Sequence, residues 1–128
     1  MIKGIGTDIA EIERVRRLLD TGQGDRFIAR VLTGSEQAIL IGKKARVTEF
    51  VTGRFAAKEA VAKALGCGIG EKLGFHDIEI VPDAAGKPLC RITERSQGLL
   101  SINQEDCIHV TISHTEVYAV AFAVWESI

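Results

Sequence analysis

No apolar run in this 128-residue chain approaches the roughly 20 residues that cross a bilayer, so a membrane helix is not expected. The opening residues, Met1-Ile2-Lys3-Gly4, lead into Gly and Asp rather than an apolar stretch, which does not read as a secretory signal. Cys67, Cys90 and Cys107 are odd in number and lack Cys-x-x-Cys spacing, which indicates neither a disulfide framework nor a zinc site. Together these absences imply a cytoplasmic protein. Strong net charge is missing too: at −1 overall, the chain does not suit a nucleic-acid binder dominated by phosphate contacts. Internal repeats, low-complexity tracts and linkers are absent, so the expectation is one domain over residues 1–128.

What is present is unevenly placed. Residues 1–63 hold twelve Lys/Arg against eight Asp/Glu, while residues 64–128 hold four against nine. Arg14, Arg16, Arg17, Arg26 and Arg30 share a short stretch whose acids are Asp20 and Asp25. Such a patch either steers an acidic partner or is a solvated helix face.

Hydrophobic periodicity predicts an α+β fold, with antiparallel β hairpins around one long helix. Strands are expected at Met1–Ile9, Phe75–Val81, Pro88–Thr93, Ile108–His114 and Tyr118–Trp125. Helices are expected at Glu13–Asp20, Arg26–Leu32, Thr48–Leu65 and Arg95–Asn103. Thr33 and Glu36 have the spacing of a capping box, which reads as structural. On a wheel of about 100° per residue, Phe50, Gly53, Ala56, Ala57, Ala60, Val61 and Ala64 form the core side of the long helix. Thr48, Thr52, Glu59 and Lys63 share a second stripe, and Arg54 and Lys58 a third.

Glu59 and Lys63 read either as an i,i+4 surface pair, worth about 0.2–0.5 kcal/mol, or as part of a lined site. Asp8 either closes a Gly-rich strand through an Asx turn or, with a helical Glu, holds Mg²⁺, which takes one or two carboxylates plus water and phosphate. Gly66-Cys67-Gly68-Ile69-Gly70 follows a helix instead of opening one, so it reads as a C-cap and fails as a dinucleotide loop. His114, after Ser113 at a strand end, reads by default as a turn or edge histidine.

Gly4-Ile5-Gly6-Thr7-Asp8-Ile9, Gly53-Arg54-Phe55-Ala56-Ala57-Lys58-Glu59-Ala60 with Lys63-Ala64-Leu65-Gly66, and Ile112-Ser113-His114-Thr115 resemble the holo-[acyl-carrier-protein] synthases. These are the short, single-copy bacterial type of the 4′-phosphopantetheinyl transferase superfamily. Asp77-Ile78-Glu79-Ile80 and Gly86-Lys87-Pro88 match in order and spacing, and the resemblance covers essentially the whole chain. It implies that fold, a homotrimer with sites at subunit interfaces, and transfer of phosphopantetheine from coenzyme A to a serine of apo acyl carrier protein in fatty acid biosynthesis. It further implies Mg²⁺ on Asp8 and Glu59, with Lys63 as the third catalytic residue. Arg54, Lys58, Gly66, Pro88, His114 and Thr115 would bind coenzyme A, with Arg54, His114 and Thr115 on its 3′-phosphate. Arg14, Arg17 and Arg26 would receive the acidic carrier protein, although Gln23 stands where another basic residue is expected. The alternatives are a non-catalytic coenzyme A or nucleotide-binding module and a carrier-binding interaction protein. The joint presence of Asp8, Glu59 and Lys63 argues against the first; the second would use only the Arg14–Arg30 patch.

Overall fold

A computed structural model describes the backbone of residues 1–128 and every side chain except that of Lys44. Strand β1 (Ile2–Glu11) leads into three short helices, α1 (Ile12–Leu19), α2 (Gly24–Val31) and α3 (Gly34–Ile41). The long helix α4 (Val47–Ala64) follows, then a turn of 3₁₀ helix at Phe75–Asp77 and the hairpin β2 (Ile78–Pro82) and β3 (Pro88–Ile92). Helix α5 (Glu94–Leu99) connects to a second hairpin, β4 (Cys107–His114) and β5 (Tyr118–Glu126). β1 closes against β5 to give an antiparallel sheet in the order β1-β5-β4, and β2-β3 form a separate antiparallel pair. The α+β expectation, hairpins around one long helix, is the architecture observed.

Glycine decides how closely β1 approaches α4. A Cβ on Gly4 or Gly6 would collide with the backbone carbonyl oxygen of Ala64 or Ala60. The strand therefore lies directly on the helix, and Asp8, in the same inward-facing alternation, arrives beside the α4 side chains. The seven small or apolar residues expected on the core side of α4 are all buried. Ala56, Ala57, Ala60, Val61 and Ala64 pack with Val110, Ala121, Ala123 and Trp125 of the sheet and Ile78 and Ile80 of β2. A second cluster joins Val15, Val31, Leu32, Phe50, Val51 and Phe75, tying α1 and α2 to the other flank of α4.

Several boundaries differ from expectation for local reasons. β1 continues to Glu11, so Asp8 is a mid-strand residue opposite Ala121 and opens no Asx turn. Phe75–Asp77 is 3₁₀ helix because the Asp77 carboxylate accepts the Gly74 N–H and tightens the chain before β2 begins. α5 starts and stops earlier than predicted: the Thr93 hydroxyl accepts from Ser96 N–H at its start, and Ser101 has a positive φ just beyond its end. The capping box forms, Thr33 accepting from Glu36 N–H and Glu36 accepting from Thr33 N–H. Gly66, with φ +78°, ends α4 as the C-cap reading required.

One face of the three-stranded sheet is covered by α4 and the other is not. Ile5 and Ile9 are each 62% exposed and Phe122 is 42% exposed, with the exposed Val120 opposite Ile9. That is an apolar sheet surface of a kind monomers rarely leave open.

Candidate active site

Asp8, Glu59 and Lys63 meet on the flank of α4 next to β1. The Lys63 ammonium donates to the Asp8 carboxylate at 3.3 Å and to the Thr7 carbonyl at 3.0 Å. Asp8 and Glu59 line one cleft of about 380 Å³, whose walls include Ile9, Leu18, Phe27 and Phe55 and whose rim carries Arg14. Burial raises the Glu59 pKa, the neighbouring Asp8 charge raises it further, and Lys63 partly opposes them. A half-buried carboxylate made more basic by its surroundings is the group expected of a general base. Of the two readings of Glu59 and Lys63, the i,i+4 surface pair is not formed: among the described residues no ion pair joins them, because Lys63 reaches across to β1.

Asp8 of β1 and Glu59 of α4 share this cleft with Glu11, the last residue of β1. Among the described residues no group of three or more His, Cys, Asp or Glu could enclose a metal ion. Structural zinc needs such a closed set, whereas Mg²⁺ is held by one or two carboxylates and completes its shell with water and substrate phosphate. The donor set fits Mg²⁺ in that open manner.

A second, smaller cleft of about 160 Å³ opens elsewhere along α4 and shares no lining residue with the first. It contains Arg54, His114, Lys43 and Arg46, with Glu49 as its acid. Gly53 packs against the Ile112 side chain, which draws α4 onto the end of β4 and brings Arg54 to His114. The Arg54 guanidinium lies 4.5 Å over the Phe50 ring and donates through Nε to the Ile80 carbonyl at 3.0 Å. Burial lowers its pKa and the Glu36 charge opposes that. A cationic pocket of this kind suits a phosphate dianion.

The basic patch continues along α1 and α2. Arg14 reaches the first cleft, Arg26 and Arg30 flank a shallow groove with Leu18 and Phe27, and Arg17 is mostly exposed, 3.9 Å from Glu13. Arg16 is committed to Glu13 at 2.6 Å. Arg26 touches the Gln23 side chain at 3.5 Å, at the limit of a hydrogen bond.

Lys58 requires a correction. It does not join Arg54 on an open polar stripe and faces no ligand cleft. Its side chain is fully buried, and its ammonium donates to Glu36 at 2.7 Å, to the Val31 carbonyl at 2.7 Å and to the Phe75 carbonyl at 3.0 Å. Burial lowers its pKa, while the hydrogen bond and charge of Glu36 oppose the shift. All three ammonium donors are spent, so none is left for coenzyme A.

The remaining predicted contacts are scattered. Gly66 sits beyond the end of α4 and Pro88 at the start of β3, and neither lines the two clefts. Thr115 turns the β4–β5 hairpin, its hydroxyl accepting from Val117 and Tyr118 N–H. Phe27 and Phe55, whose ring centroids are 5.9 Å apart, wall the first cleft; Phe55 flanks the Glu59–Lys63 stripe in sequence, whereas Phe27 was not singled out. No periodicity separates them from core aromatics. Lys43 and Arg46 were also missed, although a basic run immediately before α4 was visible.

The chain matches the model of the 4′-phosphopantetheinyl transferase superfamily over residues 4–123. It is 44% identical over 128 residues to a holo-[acyl-carrier-protein] synthase of Bacillus mycoides, covering 99% of this chain and 98% of that one. A crystal structure of the holo-(acyl-carrier-protein) synthase of Bacillus anthracis, in complex with CoA (3′,5′-ADP), is similar at 44% identity. Its TM-score is 0.83, with 99% of this chain and 98% of that chain covered. The corresponding Neisseria meningitidis structure has a TM-score of 0.88 at 35% identity, covering 99% and 100%.

Proposed function

The chain belongs to the 4′-phosphopantetheinyl transferase superfamily, and we propose that its two clefts carry out that transfer with Asp8, Glu59 and Lys63 at the reacting end. It moves the 4′-phosphopantetheine group of coenzyme A onto a serine of apo acyl carrier protein and releases 3′,5′-ADP. The observation that carries the residue assignment is the meeting of Asp8 and Glu59 in one cleft that Arg14 also lines, with Lys63 paired to Asp8.

The serine oxygen attacks the pyrophosphate phosphorus that bears pantetheine, and the bond from that phosphorus to the bridging oxygen breaks. Such transfers need positioning and charge neutralisation more than covalent help. Glu59, which lines the cleft beside Asp8, takes the serine proton directly or through a water. Lys63 stabilises the charge on the departing 3′,5′-ADP, and Asp8 orients Lys63. Mg²⁺, held by Asp8 and Glu59, would neutralise the phosphates. Arg54 and His114 hold the 3′-phosphate, with Thr115, Gly66 and Pro88 contributing to the coenzyme A surface. Arg14, Arg17 and Arg26 receive the acidic face of the carrier.

The working unit is a homotrimer. Two observations support it: the open apolar sheet face of Ile5, Ile9, Val120 and Phe122, and the separation of the two clefts within one chain. A neighbouring subunit would cover the former and bring its Arg54–His114 pocket to this chain's Asp8–Glu59 cleft. No described helix is long and apolar enough to cross a membrane. We place the protein in the cytoplasm, in fatty acid biosynthesis, as a single domain.

The test is to incubate the chain with apo carrier protein, coenzyme A and Mg²⁺ and to weigh the carrier. A gain of one phosphopantetheine mass is expected. Carrier complex formation without that gain would support the non-catalytic module instead.

A further inference from the structure

Glu36 and Lys58 are the largest charged groups with no surface exposure, and the transfer chemistry uses neither. Glu36 Oε1 accepts from Lys58 at 2.7 Å and from Thr33 N–H at 2.8 Å, and Oε2 accepts from Ile80 N–H at 2.8 Å. The carbonyl of that same Ile80 accepts from Arg54 Nε at 3.0 Å. Ile80 pairs with Cys90 in the β2–β3 hairpin, yet its own N–H and C=O are both taken by side chains from α3 and α4. The contacts form an unbroken series from Lys58 through Glu36 and the Ile80 peptide group to the guanidinium in the His114 pocket. Buried ion pairs seldom stabilise more than an apolar pair of similar volume, so stability alone is a poor reason for one here.

We propose that Glu36, anchored by Lys58, is a positioning residue for Arg54, acting through the Ile80 peptide group to aim the guanidinium at the 3′-phosphate of coenzyme A. The proposal rests on the placement of Arg54 given above. The Ile80 carbonyl holds Nε, the Phe50 ring lies beneath the guanidinium, and the side chain lines the pocket with His114. With Glu36 gone, β2 loses its tie to α3 at that residue and the guanidinium loses a fixed anchor.

The experiment is a double-mutant cycle on coenzyme A affinity, measured by calorimetry without carrier. Glu36→Gln keeps the side-chain volume and is expected to weaken coenzyme A about tenfold, the loss of one well-aimed charge-assisted contact. Affinity for 3′-dephospho-coenzyme A should change less than about twofold. In an Arg54→Ala background, Glu36→Gln should cost nothing further. Lys58→Met, which loosens the pair from its other end, should reproduce the pattern. Equal losses on both ligands, or equal losses with and without Arg54, would overturn the positioning role. So would failure of both variants to fold, since the pair would then be needed for the fold itself. A wild-type chain that does not prefer coenzyme A over its dephospho form would sink the placement of Arg54, a separate failure visible before any variant is made.

Discussion

The Lys63 ammonium stands 3.3 Å from the Asp8 carboxylate, 55 residues away in sequence, and not on Glu59 one turn earlier in its own helix. That contact joins β1 to α4 at the cleft and leaves the Glu59 carboxylate free to face it. One acid thus carries the cation while the other lines the cleft without an ion-pair partner among the described residues. The arrangement separates roles that proximity along the helix would have merged.

Asp8→Ala and Glu59→Ala should each lower turnover by more than about a hundredfold, corresponding to at least ~3 kcal/mol of transition-state stabilisation. The fold should persist, because neither side chain belongs to either core cluster. Steady-state rates across a Mg²⁺ titration, with circular dichroism alongside, check this. Near-normal rates at low Mg²⁺ would remove both residues from the metal.

Arg54→Ala and His114→Ala should raise the KM for coenzyme A by roughly one to two orders of magnitude, since each deletes a contact worth about 1.5–3 kcal/mol. With 3′-dephospho-coenzyme A the same changes should matter little. Equal penalties on both substrates would assign the pocket to another part of the ligand.

Charge reversal at Arg14 or Arg26 should raise the carrier KM at low salt, with a penalty that shrinks as ionic strength rises. Coenzyme A binding without carrier should be nearly unchanged. A carrier KM that ignores both reversals at low salt would show the patch to be a solvated face.

Glu59→Gln should be inactive yet, in Mg²⁺-free buffer, more resistant to heat than the parent at pH 7–8. Burial and Asp8 raise the carboxyl's pKa in the folded chain, so ionisation is harder there than in the unfolded chain. The protonated form's contribution to stability is complete below the ordinary glutamate range near 4.3 and is lost as pH rises through the raised value. The Tm difference should therefore open above that range and close toward pH 4. A gap that widens in acid contradicts the assignment.

Co-refolding Asp8→Ala chains with His114→Ala chains should restore activity above the average of the two parents. Mixed trimers would contain some sites with both residues intact. If mass spectrometry confirms mixed trimers and activity never exceeds that average, the site is completed within one chain.

Much of this protein was legible in its residue order. The Gly-Arg-Phe-Ala-Ala-Lys-Glu stretch carried the family resemblance, the spacing of small residues marked the buried side of α4, and the Thr33–Glu36 capping box was visible as a pattern. These are local features, set by side-chain size, turn chemistry and the 3.6-residue period. Lys58 shows where that reading stops. The wheel gives its direction from the helix axis but not what lies there, and α3, 22 residues earlier, supplies the Glu36 that buries it. In the same way, Lys63 could pair along its helix or across to β1. Only the close approach that Gly4 and Gly6 permit decided for Asp8. Sequence determined which groups were available, and tertiary structure decided their partners, because charged side chains go to whichever partner packing brings within a few ångströms.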